Sequence, residues 1–157
     1  MTDSARVAAL LAEMDERRAA FLAALDALDA TAAARPLVAG WDARDLAHHV
    51  AFWSNHGADA VALATAGRGG AFDYRRTQTD AMNARATAAG RRLTLEAARR
   101  EEAEAFARFR QAVAALTDDR LDERLGNGDR VEDVIRYDGP DHYAEHAVHL
   151  GGVPAPA

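Results

Sequence analysis

The stretch Gly40-Trp41-Asp42-Ala43-Arg44-Asp45-Leu46-Ala47-His48-His49-Val50-Ala51-Phe52-Trp53 decides how the chain folds. Asp42 is placed to cap a helix, and Asp45, at the third helical position, completes a capping box. Trp41 and Leu46 flank that start as a hydrophobic staple. The helix runs from about Asp42 to Ala66 and carries Leu46, His49, Val50, Trp53, Gly57, Ala60 and Val61 on its inner face. His49 is the one imidazole among those residues, whereas His48 is rotated by about 100° toward solvent.

Outward from this helix the pattern stays helical. Val7, Leu10, Leu11, Met14, Phe21, Leu22, Leu25 and Leu28 recur at spacings of three and four, predicting a helix over roughly residues 4 to 30. Arg17 and Arg18 fall where that stripe expects another apolar turn, and an arginine stem can still cover apolar surface there. Residues 67–92 form a polar, glycine-containing crossover with a short helix near residues 75 to 88. A further long helix opens near Thr94, places Leu95, Ala98, Phe106, Phe109, Val113 and Leu116 on one face, and stops near Thr117. The segment from Val131 to Arg136 is apolar on one side, Gly139-Pro140 interrupts it, and a last helix carries Asp141 to Leu150. The expected fold is all-α: a four-helix bundle with a long crossover between the second and third long helices, forming one domain over residues 1–157.

Composition narrows the chemistry. The chain has no cysteine, so a metal must be held by nitrogen and oxygen, and any thiol must come from outside. A formal charge of −6, with all 19 basic residues arginine and scattered among acids, disfavours nucleic acid. No segment approaches the length of apolar residues that a membrane span needs, and no basic region followed by an apolar run opens the chain. We expect a cytoplasmic protein without a membrane partner.

Six histidines fall in two groups, three on the second long helix and three on the last. His142 and His146, four apart, project side by side and can offer two nitrogens to one ion, with His49 as the third ligand. His56 lies nearly two turns beyond His49, roughly 10 Å along the axis, and is a pocket residue only. The plain alternative is that each histidine is an ordinary hydrogen-bonded core or surface residue. Three neutral imidazoles without a carboxylate would leave a divalent ion at +2 with an open position, the arrangement of a catalytic site. Imidazole ligation suits several metals, zinc or nickel first among them here. His142-Tyr143-Ala144-Glu145-His146 also matches the H-x-x-E-H pattern of inverted zinc proteases, but only eleven residues follow in which their third ligand could stand. Glu145 is read instead as a face residue or an orienter of an imidazole.

The stretch from Gly40 to Trp53 resembles the W-x-x-x-D-L-x-x-H-x-x-x-W motif of the DinB/YfiT-like superfamily of four-helix bundle metalloproteins, and Asp141 to Ala147 resembles its H-x-x-x-H motif. Asp80-Ala81-Met82-Asn83-Ala84-Arg85 is similar to the crossover of its ClbS/DfsB-like and mycothiol-dependent maleylpyruvate isomerase-like branches. The likeness spans residues 5 to 150. It implies that His49, His142 and His146 are metal ligands and that the protein is a homodimer acting on a small-molecule substrate. With few residues after Leu150, the isomerase group's C-terminal domain and a specific maleylpyruvate isomerase activity are not expected; the expected function is thiol S-transfer or hydrolysis on an electrophilic small molecule, with a low-molecular-weight thiol as cosubstrate. The alternative expectation is a non-catalytic metal-binding or ligand-sequestering dimer serving stress or resistance. No catalytic residue is assigned; Trp53, Asn83, Tyr143, Glu145 and His149 are the candidates to line the pocket or to support the ligands.

Overall fold

The capping box at Asp42 sets the entry of the central helix: Asp45 N–H donates to Asp42 Oδ1 at 2.9 Å, and Asp42 N–H donates back to Asp45 Oδ2 at 3.2 Å. In the computed structural model, which describes residues 4–152, the helices are α1 (Ala5–Asp26), α2 (Ala30–Ala33), α3 (Ala43–Thr65), α4 (Thr79–Gly90), α5 (Leu95–Ala114), α6 (Val131–Asp138) and α7 (Pro140–His149). Among the described residues there is no strand, only two isolated bridges. α3 lies at the centre, against α5 on one side, α6 and α7 on another, and α4 along its length, while α1 packs on α5 and α7. The bundle is thus built from α1, α3, α5 and the α6–α7 pair, with the crossover holding α4.

Three departures from the expected outline have physical causes. α1 ends at Asp26 and not near residue 30, because Asp29 turns to cap α2, accepting from Ala32 N–H at 2.7 Å. The gap in the α1 stripe is filled by charge: Arg18 makes a bidentate pair with Glu102 at 2.7 and 2.9 Å, and its guanidinium lies 4.7 Å from the centre of the Phe106 ring. Glu102 is buried, in the core stripe of α5 between Ala98 and Phe106. His48 is not turned to open solvent: its ring is covered by the end of α4, where a Cβ on Gly90 would stand 2.4 Å from it, and its Nδ1 lies 2.9 Å from Glu101.

Two glycines fix close approaches. A Cβ on Gly57 would lie 2.5 Å from Phe109 Cζ and 3.0 Å from Asp138 Cβ, so the absent side chain lets α5 and α6 meet α3 there. Gly139 and Pro140 split the fourth helical arm. Pro140 opens α7 at a position where no backbone N–H is needed, and Tyr143 N–H donates to Gly139 O at 3.0 Å.

Candidate metal centre

α3 and α7 bring three imidazoles together. His49 Nε2 lies 2.9 Å from His142 Nε2, which lies 3.0 Å from His146 Nε2, and one nitrogen from each of the three falls within 4.8 Å of the others. His142 and His146 meet because they are four apart on α7; His49 meets them from α3, whose start the capping box at Asp42 and Asp45 fixes. His49 and His146 are each 5% exposed, and His142 is half-buried.

Burial, followed by the neighbouring His146 and His48, holds His49 down to about 3; burial and then His149 hold His146 down to about 4; burial and its two neighbours push His142 well below the usual imidazole value. All three are therefore neutral at physiological pH, the form in which imidazole is a ligand. At these separations the Nε2 atoms either share a proton or turn their lone pairs toward a common point, and the Nδ1 atoms of His49 and His142 are buried without a hydrogen-bond partner. A divalent cation fits this donor set: imidazole nitrogens about 2.0–2.1 Å from a tetrahedral ion stand roughly 3.3 Å apart, a few tenths of an ångström wider than the separations here. Among the described residues no carboxylate joins the three nitrogens, so a fourth position is left to a small molecule.

The surroundings orient the triad. Val38-Ala39-Gly40-Trp41 forms a tight turn in which Ala39 and Gly40 have φ of 51° and 77°, closed by Trp41 N–H donating to Val38 O at 2.7 Å. It sets the Trp41 ring 4.6 Å from the His49 ring. His149 Nδ1 lies 3.0 Å from His146 Nδ1, so a proton on one of these nitrogens is shared with the other and the His146 ring is held with Nε2 toward its neighbours. Beside the triad opens a cleft of about 540 Å³.

Of the candidate pocket residues, Trp53, Asn83, Glu145 and His149 line this cleft. Trp53 Nε1–H donates to Asn83 Oδ1 at 2.9 Å, which ties α4 to α3 and fixes the amide of Asn83. Tyr143 does not line it. One residue past His142 on α7, it points to the opposite side, its ring edge-on to Phe21 and Phe106 and its hydroxyl donating to Glu102 at 2.6 Å. His56 stays outside the triad, and its Nδ1 lies 2.6 Å from Asp138 Oδ2. The sequence reading passed over Trp41 as a wall of the site, and over Tyr74, Arg76, Tyr137 and Asp138. Asp138 had a signal: it stands four before His142, continuing the i, i+4 row of His142 and His146 across the Gly139-Pro140 break.

Residues 11–151 match the model of the mycothiol maleylpyruvate isomerase N-terminal domain. The chain belongs to that family. Two solved structures share the family fold: the crystal structure of the mycothiol-dependent maleylpyruvate isomerase, with TM-score 0.76, and that of its histidine-to-alanine mutant, with TM-score 0.75. Each is 18% identical, and each match covers 95% of this chain but 62% of the other, so the family domain seen here corresponds to less than two thirds of those enzymes. No curated protein sequence matches the chain. Among the described residues no helix is long and apolar enough to cross a membrane.

Proposed function

We propose that this family member is a metal-dependent enzyme that activates a low-molecular-weight thiol and transfers it to an electrophilic small molecule. His49, His142 and His146 hold a divalent ion, zinc or nickel, through Nε2. Bound there, the ion supplies Lewis acidity that brings a thiol or water to its anion near neutral pH. The rest falls to the chain itself. Trp53, Tyr74 and Tyr137 give the cleft aromatic walls that displace water from the acceptor, Asn83 presents an amide fixed by Trp53, and Arg76 places a cation at the lining. With no cysteine in the chain, the nucleophile is a cosubstrate. Mycothiol, named for the solved relatives, is the first to try.

The observation that carries this reading is the meeting of three neutral imidazole nitrogens at the wall of a cleft with no fourth ligand among the described residues. A closed structural site would need that fourth ligand. The test is elemental analysis of the untagged protein beside a His49→Ala, His142→Ala double variant. We expect about one equivalent of metal in the parent, none in the variant, and thiol-dependent turnover of electrophiles in the parent alone. Metal in neither protein after incubation with zinc and nickel would sink the proposal; metal with thiol-independent turnover would convert it to a hydrolase.

A further inference from the structure

A separate cavity of about 650 Å³ opens between α1 and α5 and shares no lining residue with the cleft beside the triad. It lies behind Tyr143, whose hydroxyl reaches Glu102 in its wall. The volume suits a small molecule, and the chemistry of the wall says which kind. Three guanidinium groups line it, Arg18 from α1 and Arg99 and Arg100 from α5, in a chain whose formal charge is −6. Two carboxylates stand against them. Glu102 is 1% exposed and already accepts from Arg18 Nε at 2.7 Å, Arg18 Nη2 at 2.9 Å and the Tyr143 hydroxyl at 2.6 Å. Glu96 meets Arg100 at 3.2 Å with both side chains mostly in water, and Arg99 meets Asp26 across the helices in another exposed contact, so neither pairing holds its arginine firmly.

Arg18 is the best prepared of the three. Its bidentate pair with Glu102 and the Phe106 ring, 4.7 Å from its centre, hold the guanidinium in one orientation, while Nη1 takes no part in that pair. An anion arriving there meets a donor whose side-chain entropy is already lost. The apolar share of the wall comes from Leu22 and Leu95, half-buried against the core, and from the arginine stems. Arg18 and Leu22 are four apart on α1, as are Leu95 and Arg99 on α5, so each helix offers a leucine beside a cation. Ala103, one further turn along α5, fills no space beyond a methyl group.

We propose that this cavity is a second ligand site, built for a small carboxylate with an apolar body. The carboxylate sits between Arg18 Nη1 and the two arginines of α5, and the body lies along Leu22 and Leu95 toward Ala103. An inorganic anion would leave the leucines uncovered, and a neutral hydrocarbon would strip water from guanidinium groups without replacing its hydrogen bonds. The site stands whether or not the triad holds metal or activates a thiol, because no residue of the triad or of the cleft takes part.

The test is calorimetric titration of the full chain with octanoate, with acetate and 1-octanol as probes of the charge and of the body taken singly. We expect saturable binding of octanoate with a Kd of about 1 mM or tighter, and binding of each partial probe weaker by about tenfold or more. Replacing Arg99 and Arg100 together by alanine removes only exposed pairs and should weaken octanoate about tenfold with the fold intact. Ala103→Phe, at an exposed position on the wall, places a ring in the cavity and should abolish binding there. Both tryptophans, Trp41 and Trp53, line the cleft, so their emission reports occupancy of the cleft and should stay level through the titration. No binding at about 10 mM octanoate overturns the proposal. So does octanoate binding that both variants leave unchanged, which would place it elsewhere, and so does 1-octanol binding as tightly as octanoate. Should Ala103→Phe not fold, the double arginine variant decides.

Discussion

Acid should unfold the metal-free protein well above the pH at which ordinary carboxylates titrate. The perturbation is removal of metal with chelator and a fall in pH from 7.5 to 4.5. His49, His142 and His146 have folded values far under the free imidazole value of 6.5, with His49 at about 3 and His146 at about 4. The sign follows from proton counting: below pH 6.5 the unfolded chain binds protons at these positions and the folded chain does not, so stability present above 6.5 is lost as pH falls. Asp138 works in the opposite sense. Its folded value, raised to about 6 from 3.8, gives stability that is present below 3.8 and lost as pH rises through 6. At about 1.4 kcal/mol per pH unit for each group, three histidines withdraw about 5 kcal/mol between pH 6.5 and 5 and Asp138 returns about 1, a net loss of about 4 kcal/mol. That is a large share of the 5–15 kcal/mol typical of a domain. Urea titrations followed by circular dichroism at 222 nm, at half-unit steps of pH, measure it. Stability that stays level between pH 7 and 5 would refute the reasoning, because it would mean that the imidazoles are not buried together as neutral rings.

Three further outcomes follow from packing and charge. Arg18→Ala leaves the Glu102 carboxylate buried beside Tyr143 without its cation and should cost about 3–5 kcal/mol by chemical denaturation, whereas exchanging Arg18 and Glu102 together for apolar residues should cost much less. Ala39→Gly relieves a left-handed backbone at φ 51° and should stabilise by about 1 kcal/mol, read as a rise in Tm with no change in metal content. Gly57→Ala drives a methyl to 2.5 Å from Phe109 Cζ and 3.0 Å from Asp138 Cβ; thermal melts should show a loss of about 1–3 kcal/mol, and a neutral result would mean that α5 yields more easily than its packing suggests.

The helices and the triad were legible because they rest on local signals. The capping box at Asp42 and Asp45, the i, i+4 pair His142 and His146, and the placement of His49 among Leu46, Val50 and Trp53 can be read within one or two turns of chain. What escaped depends on partners distant in sequence. Arg18 looks like a flaw in the α1 stripe until Glu102, 84 residues away, is set beside it. Tyr143 sits between two cleft residues in sequence, but the helical step of about 100° turns it to the other side. Asp138 was hidden by Gly139-Pro140, which reads as a break and conceals that the i, i+4 row continues through it. His48 needed the end of α4, and the absence of a side chain at Gly90, to be covered.

The contacts of Tyr143 also limit how far α7 can roll. A helix bearing two imidazoles on one side is like a shaft whose angular setting fixes where its pins point, and a shaft needs a key. Imidazole tips about 6 Å from the helix axis would sweep about 1 Å for a roll of 10°, a displacement of the size that misplaces reacting groups enough to cost about a hundredfold in rate. On the side of α7 away from His142 and His146, the Tyr143 hydroxyl is anchored to Glu102, and Glu102 to Arg18, which couples the angular setting of α7 to α5 and α1. Substitutions at Arg18 or Glu102 should then loosen the triad from behind, without touching any of its three imidazoles.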